Sequence, residues 1–297
     1  MPRIRLIERK EIDTDRWDRC VRESSCSDVY ALSGWLDIMS EHWGGLVQDD
    51  YAAVLPIPWN RKYFLSYIYT PRFTSPLPLC GEPGQALPLQ AFLDCIPSRF
   101  VLWDLDIQSP HKNEKPGCAY IHRTNHLLSL SLPYDQLFSE YRAGYRNLVR
   151  KAGATCKAHT TTDYTEIIQA AANKKQIRGM KAWDYRRFTR LCQWLEGRGM
   201  LESWETRSPE GVRIAGAVFV KTNRKLYYLL AWNNEAGRAI SASHFLMDRV
   251  IATHAGSGMV LDFEGSDHPD IAHFMRGFGA IPTPYLSIRK RKWLSET

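Results

Sequence analysis

The stretch Leu261-Asp-Phe-Glu-Gly-Ser266 decides the reading of this chain, because its first four residues have a counterpart in Trp103-Asp-Leu-Asp106. In both places apolar and acidic residues alternate, so a strand there sets its carboxylates on one face and its apolar side chains on the other. Positions 103 and 261 are 158 residues apart, and Leu127-Leu-Ser-Leu130 meets Tyr285-Leu-Ser-Ile288 at the same offset of 158. Two matches at one spacing, within matching orders of elements, read as a tandem duplication.

Working outward, β-branched and aromatic runs predict strands over 4–7, 52–57, 64–69, 100–106 and 127–132, with helices over 13–23, 33–42 and 87–96 capped by Asp13 and Ser33. The second half reads as helix 134–152, strand 154–159, helices 165–173 and 184–196, then strands 201–206, 212–221 and 225–232. Hairpin signals at 208–211 and 222–224 join those three strands. Helix 241–254, strand 259–264, helix 269–276 and strand 284–289 follow. Hairpins ahead of a crossover helix indicate an α+β class with mixed central sheets flanked by helices. The expected division is 1–132 and 133–297.

With 297 residues, 44% hydrophobic and 24% charged, the chain is neither disordered, collagenous nor low-complexity. No apolar run approaches the ~18 residues of a membrane span, and Met1–Lys10 lacks an apolar signal core, so a cytoplasmic protein is expected. Seven cysteines without a CxxC pair fit a reducing compartment. His111, Cys118, His122 and His126 match no zinc module, and no metal is expected. Motifs of serine hydrolases, zincins and P-loop NTPases are absent.

The net charge is +7, and residues 142–190 alone carry twelve basic residues against three acidic ones. A concentrated cationic block predicts an anionic partner, phosphate first. Within it Arg142, Arg146 and Arg150 fall at helical spacing i, i+4 and i+8 with Lys151 beside them, either facing phosphate or forming a solvated basic face. Lys174–Lys181 reads as a solvated loop with reach toward a polyanion such as tRNA.

The run 261–266, the Pro-led helix after it and Phe274-Met-Arg-Gly-Phe-Gly279 resemble the closing part of the Fem-type peptidyltransferases, which are built from two tandem GNAT N-acyltransferase domains. Tyr141-Arg-Ala-Gly-Tyr-Arg-Asn-Leu-Val-Arg-Lys-Ala152 is similar to the basic helix opening their second domain. The resemblance implies two tandem GNAT-like domains, the first acceptor-binding and degenerate, the second donor-binding. It implies acyl or aminoacyl transfer from acyl-CoA or aminoacyl-tRNA to a small-molecule or peptide amine by direct attack, with no tightly bound cofactor.

In ordinary GNAT enzymes a Gly-rich turn holds the acyl-CoA pyrophosphate. The equivalent place here reads Arg238-Ala-Ile-Ser241-Ala-Ser243, with serines in place of both glycines, so Arg238, Ser241 and Ser243 are the candidate phosphate ligands and Trp232 the donor-side residue of the strand before them. Serine cannot match glycine's close backbone approach, yet it donates a hydroxyl and caps a helix. On the strand 259–264, Glu264 is a candidate to orient or deprotonate the amine, with Asp262 supporting it; alternatively both pair with Arg238 or cap the next helix, where Asp267 is a good N-cap. His244 and His268 are near enough in sequence to supply a base. Tyr285 is a candidate to protonate a leaving group, or a half-buried strand residue. A different class of function remains open: a non-catalytic RNA- or nucleotide-binding protein using the basic segment 142–190.

Overall fold

The computed structural model describes residues 3–26, 28–83, 87–108, 117–174, 179–264 and 269–291. The chain forms two compact units, Met1–Arg123 with Pro284–Thr297, and Thr124–Thr283. The first unit runs β1 (Ile4–Glu8), α1 (Thr14–Glu23), α2 (Ser33–Met39), β2 (His42–Gln48), β3 (Ala53–Lys62), β4 (Leu65–Tyr69), the two-residue β5 (Leu77–Pro78) and β6 (Cys80–Gly81), α3 (Leu89–Asp94) and β7 (Phe100–Gln108). Next comes β8 (Ala119–Ser129), whose residues from Thr124 on count with the second unit. That unit continues with α4 (Tyr134–Glu140), α5 (Ala143–Gly153), β9 (Lys157–Thr160), α6 (Tyr164–Asn173), α7 (Ala182–Glu196), β10 (Leu201–Arg207), β11 (Arg213–Lys221) and β12 (Lys225–Asn233). It closes with α8 (Glu235–Ala239), α9 (Ala242–His254), β13 (Val260–Asp262) and α10 (Pro269–Gly277), ahead of β14 (Ile281–Lys290).

The fold is α+β, and both units share the order of a strand, two helices, three antiparallel strands and then, after intervening helical residues, a strand parallel to the third of them. In the first unit the sheet runs β1-β2-β3-β4-β7-β14, with β4 and β7 parallel. In the second it runs β8-β13-β12-β11-β10-β9, with β12 and β13 parallel. The units depart from a simple cut at residue 132. The last strand of the second repeat, β14, pairs with β7 through Leu286↔Ile107 to Lys290↔Trp103, while β8 of the first repeat pairs with β13 through Leu127↔Asp262 to Ser129↔Val260.

Local chemistry explains the elements. Asp13 caps α1 by accepting from the amides of Asp15 and Arg16, and Trp17 and Val21 bury its inner face. Ser33 begins α2 rather than capping it: its amide and hydroxyl both donate to the Asp18 carboxylate, at 2.8 and 3.1 Å. At Gly45 an added Cβ would lie 2.1 Å from the Trp17 ring, so only glycine lets this strand pass the indole.

The expected helix 134–152 is broken into α4 and α5. Tyr141 is buried with an extended backbone, T-stacked on Phe278 at 5.1 Å, and the Arg142 amide donates to Gly277 O at 3.0 Å. Burying that ring outweighs one turn of helix propensity. The second unit's core gathers Leu137, Tyr141, Phe219, Leu246, Leu261 and Phe278 beneath α5 and α9.

Candidate functional site

The second unit's central strands pair over only three rungs, Lys225↔Val260, Leu226↔Leu261 and Tyr227↔Asp262. Beyond them β13 stops and β12 continues for six residues, Tyr228–Asn233, with β11 as its strand partner among the described residues. The edge of β12 that faced β13 is thereby released. At the point of departure β12 is bulged: Val218 faces Leu230 and Phe219 faces Tyr228, so Leu229 stands outside the ladder.

In the first unit the equivalent pair behaves differently. There β4 pairs with β7 from Ser66↔Phe100 to Tyr69↔Asp104, and β5 then adds Leu77↔Ile107 and Pro78↔Gln108 on the same side of β7. The place a cleft would occupy is filled by backbone.

Past the released edge, Asn234 caps α8 by accepting from the Gly237 amide at 2.8 Å, and α8 delivers the chain to the head of α9. Ser241 stands at the N-cap position of α9 in the left-handed region, φ 60 and ψ 37; its backbone oxygen accepts from the His244 and Phe245 amides, and its side chain makes no capping bond. Ser243 Oγ accepts from Asn233 Nδ2 at 2.9 Å, a bond that leaves its own proton to donate. Arg238 is exposed beside them. Lys174, at the C-terminus of α6, donates from Nζ to Asn233 O at 2.5 Å, and its ammonium is held below its ordinary range by desolvation first and then by the Arg238 charge. Lys174 and the Ser243 hydroxyl thus meet at Asn233 ahead of the α9 N-terminus, with Arg238 and Glu235 acting on the same ammonium, and the amides of a helix start beside a cation suit phosphate. Lys174 is the member that sequence reasoning assigned to a solvated loop; its charge was visible, its reach to Asn233 was not. Trp232 lies half-buried on the released part of β12.

Asp262 ends β13 at 3% exposure. Its Oδ1 accepts from Asn125 Nδ2 at 2.8 Å and from the Glu264 amide at 3.0 Å, and its Oδ2 lies 3.7 Å from Lys225 Nζ. These bonds occupy the carboxylate and shape the turn in which Glu264 takes φ 66. Glu264 is half-buried just past the strand end. Neither acid pairs with Arg238 in any described contact. Asp267 and His268 fall outside the described residues, as do Lys175 and Arg178 of the basic block and His111.

The basic stripe dissolves into separate duties, because the break at Tyr141 leaves Arg142 as the N-cap residue of α5 rather than a member of one helix with Arg146 and Arg150. Arg142 Nη1 lies 3.0 Å from His273 Nδ1. Arg146 Nη1 donates to Ser139 O at 2.8 Å and to Tyr141 O, closing the end of α4. The Arg150 guanidinium lies 5.4 Å over the Phe138 ring, and Lys151 is exposed. Tyr285 is half-buried on β14, in the first unit's sheet, and the structure does not gather it into one unit with Asp262 and Glu264.

His244 occupies the first turn of α9 among Tyr145, Phe274 and Phe278, with ring centroids 4.8, 5.0 and 6.1 Å away. Burial, with a smaller contribution from the His273 charge, pushes its pKa down to about 4. The folded value lies below the unfolded one of 6.5, so this stabilisation is complete above pH 6.5 and is lost as pH falls toward 4. About 2 kcal/mol is expected to disappear between pH 7 and pH 5, and His126, lowered by burial and by Arg276, acts in the same direction. Urea midpoints at the two pH values check this. The His244→Phe variant should show a clearly smaller drop, and an equal drop would exclude His244 as its source.

Residues 139–270 match the family model of the acetyltransferase (GNAT) domain. Among solved structures the chain is similar to FemX, at 13% identity and a TM-score of 0.64 over 95% of this chain and 96% of that one. It is also similar to a tandem GNAT protein from the clavulanic acid biosynthesis pathway, at 10% identity and a TM-score of 0.57 over 97% and 98%. A third likeness, to L-PGS from Bacillus licheniformis, has 10% identity and a TM-score of 0.57 over 95% and 93%. At these identities the likeness is one of fold. No curated protein matches the chain in sequence.

Proposed function

We propose, because residues 139–270 match the GNAT acetyltransferase domain and the chain has a fold similar to FemX and a tandem GNAT protein, that this protein is an N-acyltransferase whose second unit binds a phosphate-bearing activated acyl donor along the released edge of β12. The observation that carries the reading is the parting of β12 from β13 beside the head of α9, set against the filled equivalent in the first unit. Ser241, Ser243, Arg238 and Lys174 hold the donor phosphates. Trp232 flanks the donor, and the backbone freed at the Leu229 bulge donates to the acyl carbonyl as its oxygen gains charge.

The acceptor amine attacks that carbonyl carbon directly. A C–N bond forms, and the C–S bond of a thioester or the C–O bond of an aminoacyl ester breaks. Glu264 orients the amine and takes its proton, while Asp262 fixes the turn that presents Glu264. The departing thiolate or ribose oxygen is reprotonated from solvent. An activated donor needs positioning more than acid–base power, so alignment supplies most of the rate.

The test is thermal shift with acetyl-CoA, with aminoacyl-tRNA and with uncharged tRNA across salt concentrations. A saturating donor is expected to raise the midpoint by about 5 °C or more. A response to acetyl-CoA assigns the donor to the CoA class. A salt-steep response to aminoacyl-tRNA with silence to CoA assigns it to tRNA. Equal response to charged and uncharged tRNA without turnover supports the RNA-binding alternative, and no shift with any ligand overturns the reading.

A further inference from the structure

We propose that the first unit docks on an anionic lipid bilayer through the tip of the β3–β4 hairpin, with the pocket beside the hairpin receiving a lipid phosphate. The proposal stands apart from the acyl-transfer reading, since every residue in it belongs to the first unit.

The last rung of the hairpin is Lys62↔Leu65, so Tyr63 and Phe64 form the turn. They are 83% and 89% exposed, and Leu65 is 48% exposed. Tyr63 also adopts φ 55, a left-handed conformation that asparagine or glycine takes with less strain. Asn-Gly at these two positions would close the hairpin better and expose no aromatic surface, so turn formation does not account for the residues present. Two rings held in water on a strained turn are explained by a partner that takes them up.

The chemistry of the tip says which partner. The run Asn60–Tyr69 contains Arg61 and Lys62 and no acidic residue. The Lys62 ammonium lies 5.9 Å from the Tyr63 ring centre, so cation and ring occupy the same point of the surface. Aromatic side chains flanked by cations suit the headgroup layer, where rings sit among the upper acyl chains and cations meet phosphate. A second copy of the chain meeting this tip across a two-fold axis would set Arg61 and Lys62 against their own like charges.

An independent feature adjoins the hairpin. Arg61 and Ser66, paired one rung below the tip, line a pocket of about 590 Å³ at the end of the sheet where β4 and β7 begin. Of the residues lining it, Ser40 and Trp59 each bury a polar atom, Oγ and Nε1, that has no partner among the described residues, and Ser40 is only 5% exposed. Of the acids lining it, Glu8 pairs with Arg99 and Asp37 with Arg9, while Lys10 and Arg61 outnumber the third, Glu41. Two unpartnered polar groups in the wall of a pocket with a cationic rim suit a ligand rich in acceptor oxygens, which a phosphodiester supplies.

The experiment is co-sedimentation of the full chain with vesicles of phosphatidylcholine alone and of phosphatidylcholine mixed with phosphatidylglycerol. Apparent affinity for the mixed vesicles is expected to exceed that for the neutral ones by about fivefold or more at low salt. It is expected to fall about tenfold in Tyr63→Ser/Phe64→Ser and in Arg61→Glu/Lys62→Glu. All four side chains are at the exposed tip, and an unchanged thermal midpoint verifies the fold of each variant. Absence of binding to mixed vesicles, equal binding to neutral ones, or undiminished binding by the tip variant overturns the proposal. A wild-type dimer in solution that the tip variant dissociates, without vesicle binding, overturns it in favour of self-association.

Discussion

Ser243→Glu is expected to lower kcat/KM for the acyl donor by about 10²- to 10³-fold while the protein stays folded. The glutamate would place a negative charge at the head of α9, where Ser243 and Lys174 meet at Asn233 and Arg238 acts on the same ammonium. At about 4 Å from a phosphate oxygen, like charges near a protein surface repel by up to ~4 kcal/mol at an effective dielectric of about 20, which sets the upper end of that range. Ser243→Ala loses only the bond from Asn233 and one hydroxyl donor, and a fall below about tenfold is expected. Steady-state kinetics with circular dichroism of both variants checks the pair. If Ser243→Glu stays within threefold of wild type, donor phosphate does not bind at the head of α9.

The second large effect concerns Asp262. Removing its carboxylate by Asp262→Ala leaves the Asn125 amide, the Glu264 amide and the Lys225 ammonium without their shared acceptor in a buried place. A destabilisation of about 2–4 kcal/mol is expected, or roughly 5–10 °C in the midpoint. Asp262→Asn retains an oxygen for the two amides and forfeits only the charge facing Lys225, so about half that loss is expected. Glu264→Gln should leave the midpoint unchanged and reduce turnover by about 10²-fold or more if the carboxylate takes the amine proton. Reversed behaviour, with Asp262→Asn stable but inactive and Glu264→Gln fully active, would exchange the two roles. Calorimetry and initial rates on the three variants separate these cases.

Much of the fold was legible because the second half obeys its periodicities. The strands 201–207, 213–221 and 225–233 and the helices α6, α7, α9 and α10 lie within a few residues of their expected positions. Where sequence failed, a tertiary contact had overruled a local rule. The pair Gly44-Gly45 hides β2, since glycine argues against a strand unless the Trp17 ring beside it is known. Tyr141 lies in a helical pattern and leaves it to reach Phe278, 137 residues away in sequence. That break also sets Arg142 at the N-cap of α5 rather than inside one helix running from 134 to 152. At the candidate site, the head of α9 and the two acids at the end of β13 and just past it follow from order along the chain. The convergence of Lys174 on Asn233 and the filling of the first unit's cleft by β5 are products of folding that no spacing encodes.

The placement of β14 beside β7 has a consequence for biosynthesis. A nascent chain usually folds its N-terminal domain while the rest is still being made, at about 5–20 residues per second. Here the first sheet lacks a strand until residues 286–290, which pair with β7, have emerged, and these follow every strand of the second unit. Until then the flank of β7 from Trp103 to Ile107 stays an unpaired edge, open to wrong partners. A chain interrupted between the end of the second unit and β14 would carry a complete second unit and an incomplete first, and quality control would meet it through the first unit's open edge.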